Sequence, residues 1–239
     1  MKRILLVMLV FASMILFSCK NESANDENNS SDNNTEVTDN NGKTNEPSVE
    51  IEMLEFDPSI VNKLSGIKGA LQYGYKWKDK AGYNLLIFTR ATAFKQWEDA
   101  DYDGMGDNFV YLKVYHFSGT EESYSLVRLV QDGETEGCGD PPFAIDCDFY
   151  DKSISITDLD KDGYAEATFM YYILCASEIT PVPTKLIMIE NGEKYAIRGD
   201  SYLMEIKMGG EKDIDFGNAP DQLLDFASQT WDKFCASKP

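Results

Sequence analysis

Residues 158 to 166 read Asp158-Leu-Asp160-Lys-Asp162-Gly163-Tyr164-Ala-Glu166, four carboxylates spaced around a glycine. A hard divalent cation needs such a set: about six to eight oxygens at ~2.3–2.6 Å, drawn from carboxylates, a backbone carbonyl and water. The spacing gives Asp158, Asp160 and Asp162 the first, third and fifth ligand positions, the carbonyl of Tyr164 the seventh, and Glu166 the ninth. Gly163 falls where the backbone must turn sharply, and a positive φ costs it little. Without a cation these carboxylates repel one another. Calcium is the first candidate, against the competing reading of an ordinary Asp- and Gly-rich turn between strands.

A second run has the same grammar: Asp99, Asp101, Asp103, then Gly104, Met105 offering its carbonyl, and Asp107. Here Gly104 and Gly106 would equally serve a flexible turn, so a second calcium site and a plain loop both fit.

The flanks define the scaffold. An EF-hand needs helices on both sides and a bidentate Glu at the twelfth position, which here is Phe169. Instead, Ser153 to Thr157 alternates in polarity, and Ala167 to Cys175 is β-branched and aromatic, so both flanks predict strands. The β-flanked loop resembles those of integrin-type FG-GAP repeats. A hairpin is predicted from residues 68–77 and 83–89, and further strands over 108–117, 125–130, 185–190 and 194–197. Asn191-Gly192 marks a tight turn between the last two. An Asp-rich loop followed by an aromatic strand thus occurs twice. Asp57 and Pro58 suit the start of a short helix that Gly66 can end. From Pro220 to Cys235 a second helix places Leu223, Leu224, Ala227, Trp231, Phe234 and Cys235 on one face. The expected fold is mainly β (α+β): antiparallel sheets from two related β-units, with a short N-terminal and a C-terminal helix.

At the start, Lys2-Arg3 precede an apolar run from Ile4 to Phe17, which is short for a membrane span and has the order of a secretory signal. Leu16-Phe17-Ser18-Cys19 resembles the bacterial lipoprotein box, which implies cleavage and lipidation at Cys19; an ordinary signal with an incidental cysteine is the alternative. Residues 20–48 are almost devoid of apolar side chains and should form a disordered tether. The organisation expected is a signal peptide over 1–18, a lipidated cysteine and tether over 19–48, and one β-rich calcium-binding domain over 49–239. That places the protein in the cell envelope, on either face of the outer membrane.

With 22 basic and 41 acidic residues, the chain has a formal charge of −19. Such a surface excludes a nucleic-acid binder, which must neutralise phosphates with Lys and Arg. Four cysteines besides Cys19 favour disulfides in an exported chain. If the strands around the 158–166 loop pair antiparallel, Cys147 and Cys175 lie nearly opposite each other and should bridge. Cys138 and Cys235 are then bridged or free. Zinc does not fit, since there is no Cys-x-x-Cys and His116 is the only histidine. His116 sits in an apolar strand without a serine or cysteine elbow, and reads as a half-buried structural or surface histidine. No phosphate-binding glycine loop occurs, and no residue stands out as catalytic. A hydrolase working through paired carboxylates remains a rival to a binding or adhesive protein.

Trp77-Lys-Asp79-Lys-Ala-Gly82-Tyr-Asn-Leu-Leu-Ile, Tyr115-His116-Phe117, Cys147-Asp148, the stretch Ile156 to Glu166, Cys175, Thr184 to Met188 and Lys194 to Gly199 together resemble a family of Bacteroidota-type lipoproteins labelled for surface-polysaccharide biosynthesis. The resemblance covers most of residues 66 to 200, and the Asp99–Asp107 loop is not one of its hallmarks. It implies an accessory role in envelope polysaccharide without an assigned reaction, with the membrane, a polysaccharide or an envelope protein as partners. Tyr73, Tyr75, Trp77 and Trp97 could stack on sugars or belong to the core.

Overall fold

The computed structural model describes residues 50–93, 109–134, 144–176, 179–203 and 207–235, all within the unit Glu46–Pro239. The signal and tether segments with Cys19, the Asp99–Asp107 loop, Trp97 and Cys138 lie outside the described residues.

Two antiparallel sheets carry the fold. Strands β1 (Glu52–Leu54), β2 (Ala70–Asp79), β3 (Gly82–Ala93), β4 (Phe109–Gly119) and β5 (Tyr124–Glu134) form the first, in chain order. The second contains β6 (Ala144–Phe149), β7 (Ser155–Thr157), β8 (Glu166–Ala176), β9 (Pro183–Glu190), β10 (Glu193–Asp200) and β11 (Lys212–Asp215). Its order is β11-β10-β9-β8-β6, with β7 also on β8. Asn191 (φ 42°) and Gly192 (φ 83°) turn β9 into β10 with both central residues left-handed, as a tight hairpin requires.

Alternation along the strands sets the layers. In β3, Leu86 and Phe88 face the second sheet while Leu85 and Ile87 face outward, and all four are fully buried. Between the sheets Phe88 meets Phe149 and Phe169 edge-on, at centroid distances of 5.0 and 5.2 Å. Outside the first sheet, Phe56, Ile60, Val61 and Leu64 cover Leu85, Ile87, Tyr115 and Phe117. Ile60 and Val61 belong to a short helix that is 3₁₀ rather than α, Pro58–Lys63, which Phe56 and Leu64 flank and which is capped where Asp57 accepts from the Ser59 N–H at 2.9 Å. Outside the second sheet, helix α1 (Asp221–Cys235) lays Leu223, Ala227, Trp231 and Cys235 on Met170, Leu186, Met188 and Ile197. Trp77 is fully buried, and Tyr73 and Tyr75 pack against the same core, so these aromatics serve packing.

The expected Cys147–Cys175 bridge does not form. Thr157 pairs with Glu166, but a 3₁₀ turn at Asp151–Ser153 interrupts the incoming strand, so β6 meets β8 in a shifted register. Cys147 then faces Ile173, and Cys175 faces Ile145. Diagonal positions are ~7–8 Å apart, beyond the usual Cα separation of about 4.4–6.8 Å for a disulfide. Cys147 and Cys235 are buried free thiols, which also rules out a Cys138–Cys235 bridge. Cys175 is itself disulfide-bonded, though not to Cys147.

Candidate metal centre

Between β7 and β8 the chain makes the acidic turn. Lys161 (φ 63°) and Gly163 (φ 89°) are left-handed, so the turn residue expected at Gly163 has the backbone it was assigned. Asp160 Oδ1 accepts from the Asp162 N–H at 3.2 Å, and Asp162 Oδ1 accepts from the Tyr164 N–H at 2.8 Å. These two bonds coil the backbone and hold one oxygen of each carboxylate. Asp158, Asp160 and Asp162 each bring an oxygen to within 4.8 Å of the other two.

Glu166 stands slightly apart from this trio. It is fully buried, and both its oxygens accept from the Leu159 N–H at 3.0 Å, while Oε2 also accepts from Thr157 Oγ1 at 3.0 Å. With Asp160 and Glu190 it forms a second cluster of carboxylates with the same 4.8 Å limit. Asp160 therefore joins both groups. Glu190 arrives from the end of β9, directly opposite Glu166 in the ladder.

Burial sets the electrostatics. It pushes the Glu166 carboxyl up to about 7, against the hydrogen bonds from Leu159 and Thr157. Asp160 is raised by burial first, with the charges of Asp162 and Asp158 adding to it. Glu190 is raised by burial and then by Asp160 and Asp162. Asp158 Oδ1 is buried without a hydrogen-bond partner among the described residues. No salt bridge among the described residues reaches any of the five carboxylates. A cation would supply what these groups lack, and they fit a hard, oxygen-seeking one.

The loop is seated on the other sheet. The Lys80 N–H, in the β2–β3 turn, donates to the Gly163 carbonyl at 2.9 Å. Lys80 Nζ donates to the Asp162 carbonyl at 3.2 Å and lies 4.9 Å from the Tyr164 ring centroid. Beside it, Asp79 Oδ2 accepts from the Ala165 N–H at 3.2 Å and from Trp77 Nε1 at 2.9 Å. Asp79 Oδ1 takes the Ala81 N–H at 2.8 Å and Asn84 Nδ2 at 2.9 Å. Asn84 Oδ1 in turn meets His116 Nε2 at 3.2 Å, and the imidazole stacks on Trp77 at 5.5 Å. His116 is thus not half-buried or at the surface: it is 5 % exposed, and burial lowers its pKa to about 4.

Comparison of the chain with protein-family models, curated proteins and solved structures finds no match. The centre must therefore be read from its own residues. Asp158, Asp160 and Asp162 converge as the spacing predicts, and Glu166 reaches the centre through Asp160. Tyr164 contributes its N–H and ring to holding the turn. Asp99, Asp101, Asp103, Met105 and Asp107 lie outside the described residues. Sequence reasoning missed Glu190 and the Asp79–Lys80 seat, because strand register and sheet docking bring them in from distant segments.

Proposed function

We propose that this chain is a lipid-anchored envelope protein whose β-domain is stabilised by calcium and serves as a binding or accessory module for surface polysaccharide. The observation that carries the reading is that two groups of three carboxylates share Asp160, with no salt bridge to any of them among the described residues. Asp158, Asp160 and Asp162 would hold the ion, with Glu190 and Glu166 behind them. Bound there, calcium would fix the β7–β8 loop against the β2–β3 turn and so set the mutual position of the sheets. The anchor at Cys19 and the polysaccharide link rest on the sequence resemblances. No described helix is long and apolar enough to cross a membrane.

A binding role is favoured over carboxylate hydrolysis by the ion pairs in which three half-buried carboxylates outside the centre are engaged. Asp132 pairs with Lys185, and Asp146 and Asp148 pair with Arg90. A glycoside hydrolase needs two carboxylates free to act on either side of the scissile bond.

Thermal unfolding in calcium, magnesium and chelator tests the reading. A ligand at 100 times its Kd that binds only the folded state adds about 2.7 kcal/mol. Calcium should raise Tm, magnesium should not, and Asp160→Ala should abolish the rise while changing little in chelator. If wild type melts alike in calcium and chelator, the loop is not a structural calcium site. Co-sedimentation with envelope polysaccharide tests the second half.

A further inference from the structure

A cleft of about 280 Å³ opens between α1 and the segment leading into β7. Phe226, Gln229 and Lys233 line it from one stripe of the helix, spaced at the three- and four-residue intervals that share a face. Lys152 and Ser155 form the facing wall, and Phe234 closes the C-terminal end. That wall is fixed: Ser153 Oγ donates to the Tyr150 carbonyl at 2.6 Å and accepts from the Met170 N–H at 2.8 Å, tying the 3₁₀ turn to β8. Lys233 Nζ is held 4.9 Å from the Phe234 ring centroid.

The charge of the cleft runs against that of the molecule. The chain has nearly two acidic residues for each basic one, yet two lysines and no carboxylate line this cleft. Neither lysine forms a salt bridge among the described residues. The Ser155 hydroxyl, in the wall, is buried without a hydrogen-bond partner among the described residues. Two aromatic rings, an amide and two ammonium groups around a space below the ~300 Å³ of drug-sized pockets suit one small polar ring. The rings offer faces to its C–H groups, the Gln229 amide addresses its hydroxyls, and the lysines answer an acid group.

We infer that the cleft between α1 and the β7 approach binds one acidic sugar residue, a pyranose bearing a carboxylate. The choice of a sugar rests on the proposed polysaccharide role; the choice of an acidic one rests on Lys152 and Lys233.

Amide NMR spectra of the full chain, titrated with glucuronate, glucose and inorganic phosphate, test this. Glucuronate should shift the amides of Ser155, Gln229 and Lys233, with glucose and phosphate each binding about tenfold more weakly, roughly 1.4 kcal/mol. Lys152→Gln with Lys233→Gln, both exposed in wild type, should bring glucuronate down to the level of glucose. Equal responses to phosphate and glucuronate, shifts elsewhere, or no response to glucuronate would overturn the assignment. The two proposals fail separately. Envelope polysaccharide bound equally by wild type and the double lysine variant sinks the cleft alone. A cleft that takes glucuronate in a protein indifferent to calcium and polysaccharide leaves the cleft standing and removes the broader reading.

Discussion

Glu166 and Glu190 are direct partners in the β8–β9 ladder, and both carboxylates turn toward Asp160. Like charges opposite each other in a sheet are destabilising by about 0.2–1 kcal/mol. The pair is tolerable in the protonated state that burial favours, or with a cation between them. Glu190→Gln should therefore raise Tm in chelator and shrink the rise produced by calcium. Calorimetric melts of wild type and variant in the two conditions check both signs. A calcium response unchanged by the variant would remove Glu190 from the centre.

Asp79 gathers four donors, one of them from the cation loop on the opposite sheet. Asp79→Ala leaves Trp77 Nε1 and the Ala165 N–H without their acceptor, while Asn84 Nδ2 keeps the Gly82 carbonyl at 3.1 Å. Each orphaned buried donor costs about 1–3 kcal/mol, so the loss should reach at least ~2 kcal/mol. Asp79→Asn retains one oxygen in place and should lose less. Urea midpoints for the two variants make the comparison.

His116 gives stability a pH dependence of definite sign. Its folded pKa of about 4 lies below the ordinary 6.5, so the folded protein binds fewer protons than the unfolded chain between those values. Stability from this residue is present above about pH 6.5 and is lost as pH falls toward 4, by about 3 kcal/mol in all. In the absence of an ion Glu166 acts oppositely, since its raised pKa favours the folded form at low pH and loses that benefit as pH rises toward 7. The difference between wild type and His116→Gln, followed from pH 7 to 4 in chelator, isolates the histidine. A difference that does not change with pH would contradict the buried, neutral ring.

Cys147 and Cys235 are buried, and burial pushes both thiols up to about 11. The thiolate is the reactive form. A thiol reagent should leave both cysteines unmodified in the native protein at pH 8 and label both in denaturant. Mass mapping of the labelled peptides reads the outcome, and rapid native labelling of Cys147 would argue against its place between the sheets.

What the sequence disclosed was what is local. Asp158 to Glu166 announces itself because every ligand position lies within one turn, and Asn191-Gly192 names its hairpin by backbone preference alone. Glu190 looks like any strand-end glutamate until β9 pairs with β8. A Cys147–Cys175 bridge requires one uninterrupted antiparallel register; the 3₁₀ turn at Asp151–Ser153 breaks it, and no polarity pattern marks that turn. The burial of His116 is hidden in the sequence for a related reason. Its burial depends on Trp77 and Asn84, from two other strands, meeting it in the core.

Most strand pairings join consecutive strands, β6 with β8 being the exception. Each sheet can therefore grow from short hairpins, whose closure is fast and local. The bond between Asp79 and Ala165 spans 86 residues and belongs to the docking of one finished sheet on the other. Contacts made that late are absent from the folding transition state, and strengthening them slows unfolding while leaving folding nearly untouched. An ion that locks the loop onto the β2–β3 turn would thus act as a brake on opening: in stopped-flow traces calcium should lower the unfolding rate and leave the refolding rate where it was.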